Sequence, residues 1–264
     1  MGIYLNPGAD RYCSAIQSEI YIDKSGLLAY LNRVFGTEQR YLCVSRPRRF
    51  GKSMAANMIS AYYDRTTDAT ELFQGMEIAG DADFGKYSNQ NDVILLNMQK
   101  FLSRTHSMSE LLVLLQQKVL RELVKEYPAV DYFDSLSLPG CMEDVFAETG
   151  RKFVIIIDEW DCIFREYKDR TEEQRKYLDF LRDWLKDSSY VGLAYMTGIL
   201  PIKKYGTHSA LNMFMEFSMT DARELAKYAG FTEKEIQRLC QQYRMDVEEV
   251  RKWYDGYRLV QTLP

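Results

Sequence analysis

Apolar residues along the chain fall into two patterns. Tyr41-Leu42-Cys43-Val44-Ser45, Val93 to Met98, Phe153-Val154-Ile155-Ile156-Ile157 and Val191 to Met196 are short, almost unbroken runs. The third is β-branched on nearly every residue, as in a strand covered on both faces, and such strands belong to parallel sheets. Between the runs, apolar residues recur three and four positions apart, the spacing of one buried helix face. Leu27, Leu28 and Leu31 form one such stripe, and Met54, Ala55, Met58, Ile59 and Tyr62 a second. Met108, Leu111, Leu112, Leu115 and Val119 form a third, and Tyr177, Phe180, Leu181 and Trp184 a fourth.

Stop and start signals agree with these stripes. Ser107 with Glu110 and Thr171 with Gln174 have the spacing of capping boxes, Pro128 stops the third helix, and Gly150 closes a further helical stretch. Asn6-Pro7-Gly8 marks a turn in an entry segment. From Thr220 onward only helical patterns remain, with boxes at Thr232/Glu235 and Asp246/Glu249 and hydrophobic staples Phe231/Ile236 and Met245/Val250. The alternation predicts an α/β layered core over 1–219, followed by a helical lid or subdomain over 220–264.

Composition narrows the class. At 264 residues, 46% hydrophobic and 27% charged, the chain has the balance of a soluble globular protein with a large core. Its net charge of -4 argues against a surface built mainly to coat nucleic acid, though it leaves room for a local basic patch. Five cysteines without a CxxC pair, beside His106 and His208 alone, suggest neither a zinc site nor a disulfide framework. No apolar run approaches the roughly 20 residues of a membrane span, and Asp10, Arg11 and Glu19 break any signal-peptide pattern. These features predict a cytoplasmic protein with no membrane partner.

Two segments carry candidate chemistry. Arg46-Pro47-Arg48-Arg49-Phe50-Gly51-Lys52-Ser53 follows the first apolar run and matches the end of GxxxxGK[ST], with Arg46 where the first glycine would stand. A loop leading into a helix N-terminus offers free backbone N–H groups to phosphate, Lys52 adds charge at the β and γ oxygens, and Ser53 suits Mg²⁺. The plainer reading is a tripeptide that merely opens a helix. Asp158-Glu159, at the end of the third run, are the second segment. In a P-loop enzyme the first carboxylate holds Mg²⁺ and the second orients or deprotonates water. Alone, they read equally as a polar strand end or a cap. Thr197-Gly198 ends the fourth run, either with a hydroxyl near the γ-phosphate or as a turn. Arg46, Arg48 and Arg49 form a basic patch beside the loop, poised for phosphate or simply solvated. His208, alone in a polar segment, receives no role.

Together with Asn6-Pro7-Gly8, Tyr21-Ile22-Asp23-Lys24-Ser25, Thr197-Gly198-Ile199 and Trp253-Tyr254-Asp255-Gly256-Tyr257, these segments resemble the bacterial AAA-ATPase-like family. In that family Arg-Pro-Arg-Arg-Phe-Gly-Lys is the usual phosphate loop. The chain departs from it at Trp160, usually Tyr, and at Ser209-Ala210-Leu211-Asn212-Met213, commonly Ser-Gly-Leu-Asn-Asn. Members often continue into a PD-(D/E)XK nuclease-like domain, whereas this sequence stops at Pro264 and resembles an isolated ATPase module.

The resemblance implies an ASCE-type, AAA-like P-loop NTPase fold, a three-layer parallel sheet in which the Val191–Met196 strand is inserted between the loop strand and the Asp158 strand. The resulting expectation is a cytoplasmic ATPase with ATP and Mg²⁺ as cofactors. Arg48, Arg49, Phe50, Gly51, Lys52, Ser53 and Met54 would bind nucleotide, Ser53 and Asp158 the metal, and Glu159, Lys52 and Thr197 would act in catalysis. The alternatives are a nucleotide-dependent switch with little turnover, a nucleic-acid-directed module partnering a nuclease domain, and a small-molecule phosphotransferase. An oligomer is compatible with each.

Overall fold

The computed structural model describes residues 2–202 and 211–254. His208, Ser209-Ala210 and Asp255-Gly256-Tyr257 therefore lie outside the described residues.

Five strands, β1 (Tyr41–Ser45), β2 (Asp92–Asn97), β3 (Phe153–Asp158), β4 (Val191–Gly198) and β5 (Met215–Phe217), form one sheet in the order β2-β3-β4-β1-β5. All neighbouring pairs are parallel. The inserted strand is where the resemblance places it, with β4 between β1 and β3. The early helices are α1 (Asp10–Ile16), α2 (Gly26–Val34), α3 (Lys52–Tyr63), α4 (Thr70–Phe73), α5 (Phe84–Tyr87) and α6 (Met98–Leu102). They are followed by α7 (Met108–Glu126), α8 (Leu138–Thr149), α9 (Cys162–Glu166) and α10 (Thr171–Leu185). A 3-10 turn (Arg223–Tyr228), α11 (Glu233–Tyr243) and α12 (Val247–Tyr254) follow the sheet.

Alternation along each strand sorts the core into two halves. Tyr41, Cys43, Phe153, Ile155 and Ile157 pack with α7, α8 and α10, whereas Leu42, Val44, Val154, Ile156 and Leu193 pack with α1, α2 and α3. A sheet apolar on both faces needs helices on both, and the three-layer architecture follows.

The entry segment is bound to the β2 edge by polar contacts. Asn6 in the left-handed region (φ 51°) donates to Asp92 Oδ1 at 2.7 Å and accepts from the Val93 N–H at 2.7 Å. Asp92 is fully buried and also accepts from Arg65 Nε at 2.8 Å and the Tyr127 hydroxyl at 2.5 Å. Downstream, Asp23 accepts from Ser25 N and Glu77 N, and Ser25 Oγ accepts from Ile78 N, fixing the start of α2.

Several local expectations need correction. Met98 opens α6 instead of ending β2. Thr171 is not a cap: Arg170 holds that position, and the Gln174 amide reaches back to the carbonyls of Tyr167 and Lys168. Ser107 caps α7, but the Glu110 carboxylate takes the His106 N–H and not that of Ser107. The Thr232/Glu235 box is complete. The staples are not buried, since Phe231 and Met245 are 58% and 57% exposed.

Candidate functional site

Sheet register brings the candidate residues to one edge. Ser45 pairs with Gly198, Asp158 with Thr197, and Asn97 with Asp158, so the carboxyl ends of four strands are level. In open α/β sheets this edge is where ligands bind. The loop 46–51 leaves β1 there and turns into α3.

Backbone shape along the loop is set by two left-handed residues, Arg49 (φ 70°) and Gly51 (φ 77°). Gly51 is the residue before α3, and a Cβ on it would meet nothing within 4 Å, so its value is conformational freedom and not space. Arg48 and Arg49 are exposed, as are Ser53 and Met54, whereas Lys52 is only 8% exposed. The Lys52 ammonium donates to the Pro47 carbonyl at 2.9 Å. Burial pushes its pKa down, while Glu159, Asp158 and Asp161 oppose that shift.

Arg46 does not belong to the surface patch. Its side chain is fully buried, with Nη1 donating to the carbonyls of Ser45 at 2.8 Å and Phe217 at 2.5 Å, so it fastens β5 to the start of the loop. Nε and Nη2 have no hydrogen-bond partner among the described residues, and burial lowers the guanidinium pKa.

Asp158 is the hub. Its Oδ2 accepts from Ser53 Oγ at 2.7 Å and Asn97 Nδ2 at 3.1 Å, and its Oδ1 accepts from Thr197 Oγ1 at 2.5 Å. Thr197 is fully buried and its hydroxyl faces this carboxylate. A hydroxyl beside a carboxylate is a hard oxygen donor pair, the type that suits Mg²⁺ when phosphate and water complete the shell.

Glu159 sits at φ 56°, which turns the chain sharply off β3. Its Oε2 is 2.5 Å from Arg165 Nη2, and Arg165 Nε lies 3.2 Å from Asp161 Oδ2. Asp161 is fully buried and accepts from Leu200 N at 3.0 Å, linking the ends of β3 and β4. Gly198 makes this link sterically feasible: a Cβ there would come within 2.6 Å of Asp161 Oδ1 and 2.7 Å of Trp160 Nε1.

Beside the loop opens a cavity of about 150 Å³, lined by Tyr21, Ile22, Phe50, Met54, Tyr228 and Phe231 among others. It is walled by the entry segment, the loop with α3, and the chain after β5. Gly230 N donates to Phe50 O at 3.2 Å, and Lys24 Nζ bonds both Glu235 carboxylate oxygens at 2.7 Å and the Lys227 carbonyl at 2.7 Å.

Sequence reasoning thus missed Asn97, Arg165 and the far wall of the cavity. The i,i+4 spacing of Asp161 and Arg165 was the one available signal for the second.

A family model, AAA-ATPase_like, described as Predicted AAA-ATPase, matches residues 11–208. The chain belongs to this AAA-ATPase-like family. The match spans the loop 46–51, the Asp158-Glu159 pair and Thr197-Gly198. Among solved structures, the Aeropyrum pernix ORC2 protein, determined as ADPNP-ADP complexes, is similar at 11% identity and a TM-score of 0.41. The similarity covers 85% of this chain and 54% of that one, so this AAA-ATPase-like chain spans about half the length of that structure. No curated protein matches. Among the described residues, no helix is long and apolar enough to cross a membrane.

Proposed function

We propose that the chain binds Mg-ATP and hydrolyses its γ-phosphate. The observation that carries this reading is the 2.7 Å contact between Ser53 Oγ and Asp158 Oδ2, directly beside Lys52 at the carboxyl edge of the sheet. Residues 105 positions apart meet there in a hard-oxygen pair next to a buried cation.

In this reading backbone N–H groups of the loop and the N-terminus of α3 cradle the phosphates, and Lys52 neutralises them. Ser53 and Asp158 hold Mg²⁺, which supplies further charge neutralisation. Thr197 and Asn97 keep the Asp158 carboxylate aimed at Ser53. Glu159 orients the attacking water and accepts its proton. Arg48, Arg49, Phe50 and Met54 complete the nucleotide contacts, with the base in the cavity between Tyr21, Phe50 and Tyr228. The phosphate and metal residues all lie within 1–219, while Tyr228 brings the helical region of 220–264, the lid in this reading, to the base.

Calorimetric titration of ATP, ADP and GTP with Mg²⁺ into the wild type and Lys52→Ala, followed by phosphate release, tests the proposal. Micromolar ATP binding that Lys52→Ala abolishes is expected. The absence of wild-type binding would overturn it.

A second reading, a nucleotide-dependent switch with little turnover, draws on the contacts of Gly230 with Phe50 and of Lys24 with Glu235, which tie the helical region to the loop and to the entry segment. Slow turnover unchanged in Glu159→Gln would favour it.

A further inference from the structure

Away from the phosphate loop, a groove of about 620 Å³ runs between the entry segment and α7. Its two carboxylates are engaged. Glu122 accepts from the backbone N–H groups of Ile3, Tyr4 and Leu5 at 3.0, 2.9 and 2.8 Å, and Glu126 pairs with Arg65 at 2.6 Å. The groove is also lined by Arg104, Lys118, Arg121 and Lys125, and none of the four has an ion pair among the described residues. Four uncommitted cations around one groove stand out on a chain of net charge -4.

Lys118, Arg121 and Lys125 follow one face of α7 at intervals of three and four residues, so successive side chains start about 5–6 Å apart. A line of single charges at that interval suits the successive phosphates of an extended polynucleotide strand. On the opposite wall Ile3 is 64% exposed and offers an apolar surface to a base face, a contact indifferent to base identity. An acidic peptide would meet the same cations but would bring a flat ring to Ile3 only where it has an aromatic residue in register, whereas every nucleotide carries one.

We propose that this groove binds single-stranded nucleic acid through its phosphates, without sequence preference. The site shares no residue with the nucleotide site and does not rest on that reading.

The test is fluorescence anisotropy of a short labelled single-stranded oligonucleotide with the full chain, between about 50 and 200 mM salt. Four phosphate contacts predict that log affinity falls against log salt with a slope of about -3. The combined variant Lys118→Glu, Arg121→Glu and Lys125→Glu should bind at least ~10-fold more weakly and flatten the slope by about 2. These side chains lie on the surface of α7, so far-UV circular dichroism should be unchanged. Lys52→Ala should bind the oligonucleotide as the wild type does. The proposal is overturned by no binding at the lowest salt, by a folded variant that binds as tightly as the wild type, or by polyglutamate or a duplex of equal length binding as tightly as the single strand.

Discussion

At the residue scale, the site depends on side chains that hold other side chains. Glu159 emerges from a left-handed turn, and its carboxylate is oriented by Arg165, itself braced against buried Asp161. Arg165→Ala should therefore lower the phosphate-release rate by roughly 10- to 100-fold through misplacement of Glu159, leaving the ATP dissociation constant nearly unchanged. In a Glu159→Gln background the same change should have almost no effect, because nothing is left to orient. An equal loss in both backgrounds would show Arg165 acting elsewhere. Lys52 gives a second prediction. Burial depresses its pKa, so as pH rises the free protein loses the ammonium before an ordinary lysine would. Binding phosphate requires the charged form, so ATP affinity should decline with rising pH from below the usual lysine range. A Lys52→Arg variant stays charged throughout and should lack that decline if it binds at all. Calorimetry across neutral to alkaline pH measures both.

At the element scale, strands covered on both faces announced themselves and the others did not. Phe153 to Ile157 could be placed from composition because every position is buried, leaving no polar residue to blur the pattern. β5, three residues reading Met215-Glu216-Phe217, carries too little signal, and its place in the sheet depends on the remote Arg46 bonding Phe217 O. For the same reason Arg46 was misplaced in a surface patch: a dense Arg-Pro-Arg-Arg stretch is ordinarily solvated, and only tertiary contact reveals the buried member. That the loop 46–51 and the Asp158-Glu159 pair follow strands was legible because both come directly after apolar runs, and the sheet brings them to one edge. Arg165 and Asn97 were not, since their partners are fixed by how β2, β3 and α9 end. The β2 edge makes the stability prediction. Asp92→Ala strips the buried acceptor from Arg65, Asn6 and Tyr127 and should cost about 3–5 kcal/mol, as when one partner of a buried pair is removed. Urea unfolding followed by far-UV circular dichroism reads this as a lower midpoint with an unchanged slope.

At the scale of the whole molecule, the central question is how the sheet domain communicates with the helices after β5. Contacts that span that junction include Gly230 N on Phe50 O, the Lys24 ammonium on Glu235 and the Lys227 carbonyl, and the Tyr243 hydroxyl on the Glu19 carbonyl. The ion pair is mostly shielded, with side chains 15% and 18% exposed, and Glu235 is also the reciprocal member of the capping box that starts α11. Removing Lys24 therefore frees a carboxylate without removing the cap, whereas removing Glu235 destroys both. The pair lies between exposed and buried ion pairs, so Lys24→Ala should destabilise the junction by about 1–3 kcal/mol. The loss should be local, because the sheet has its own core on both faces. Native-state hydrogen exchange should show faster exchange of α11 amides in Lys24→Ala, with β1, β3 and β4 unaffected. Glu235→Ala should accelerate α11 further by loss of the cap. If the cavity holds the base, Lys24→Ala should also weaken ATP binding more than it weakens inorganic triphosphate binding, since only the former uses the wall formed by Tyr228 and Phe231. Equal weakening of both ligands would place the effect at the loop and separate the helices after β5 from base recognition.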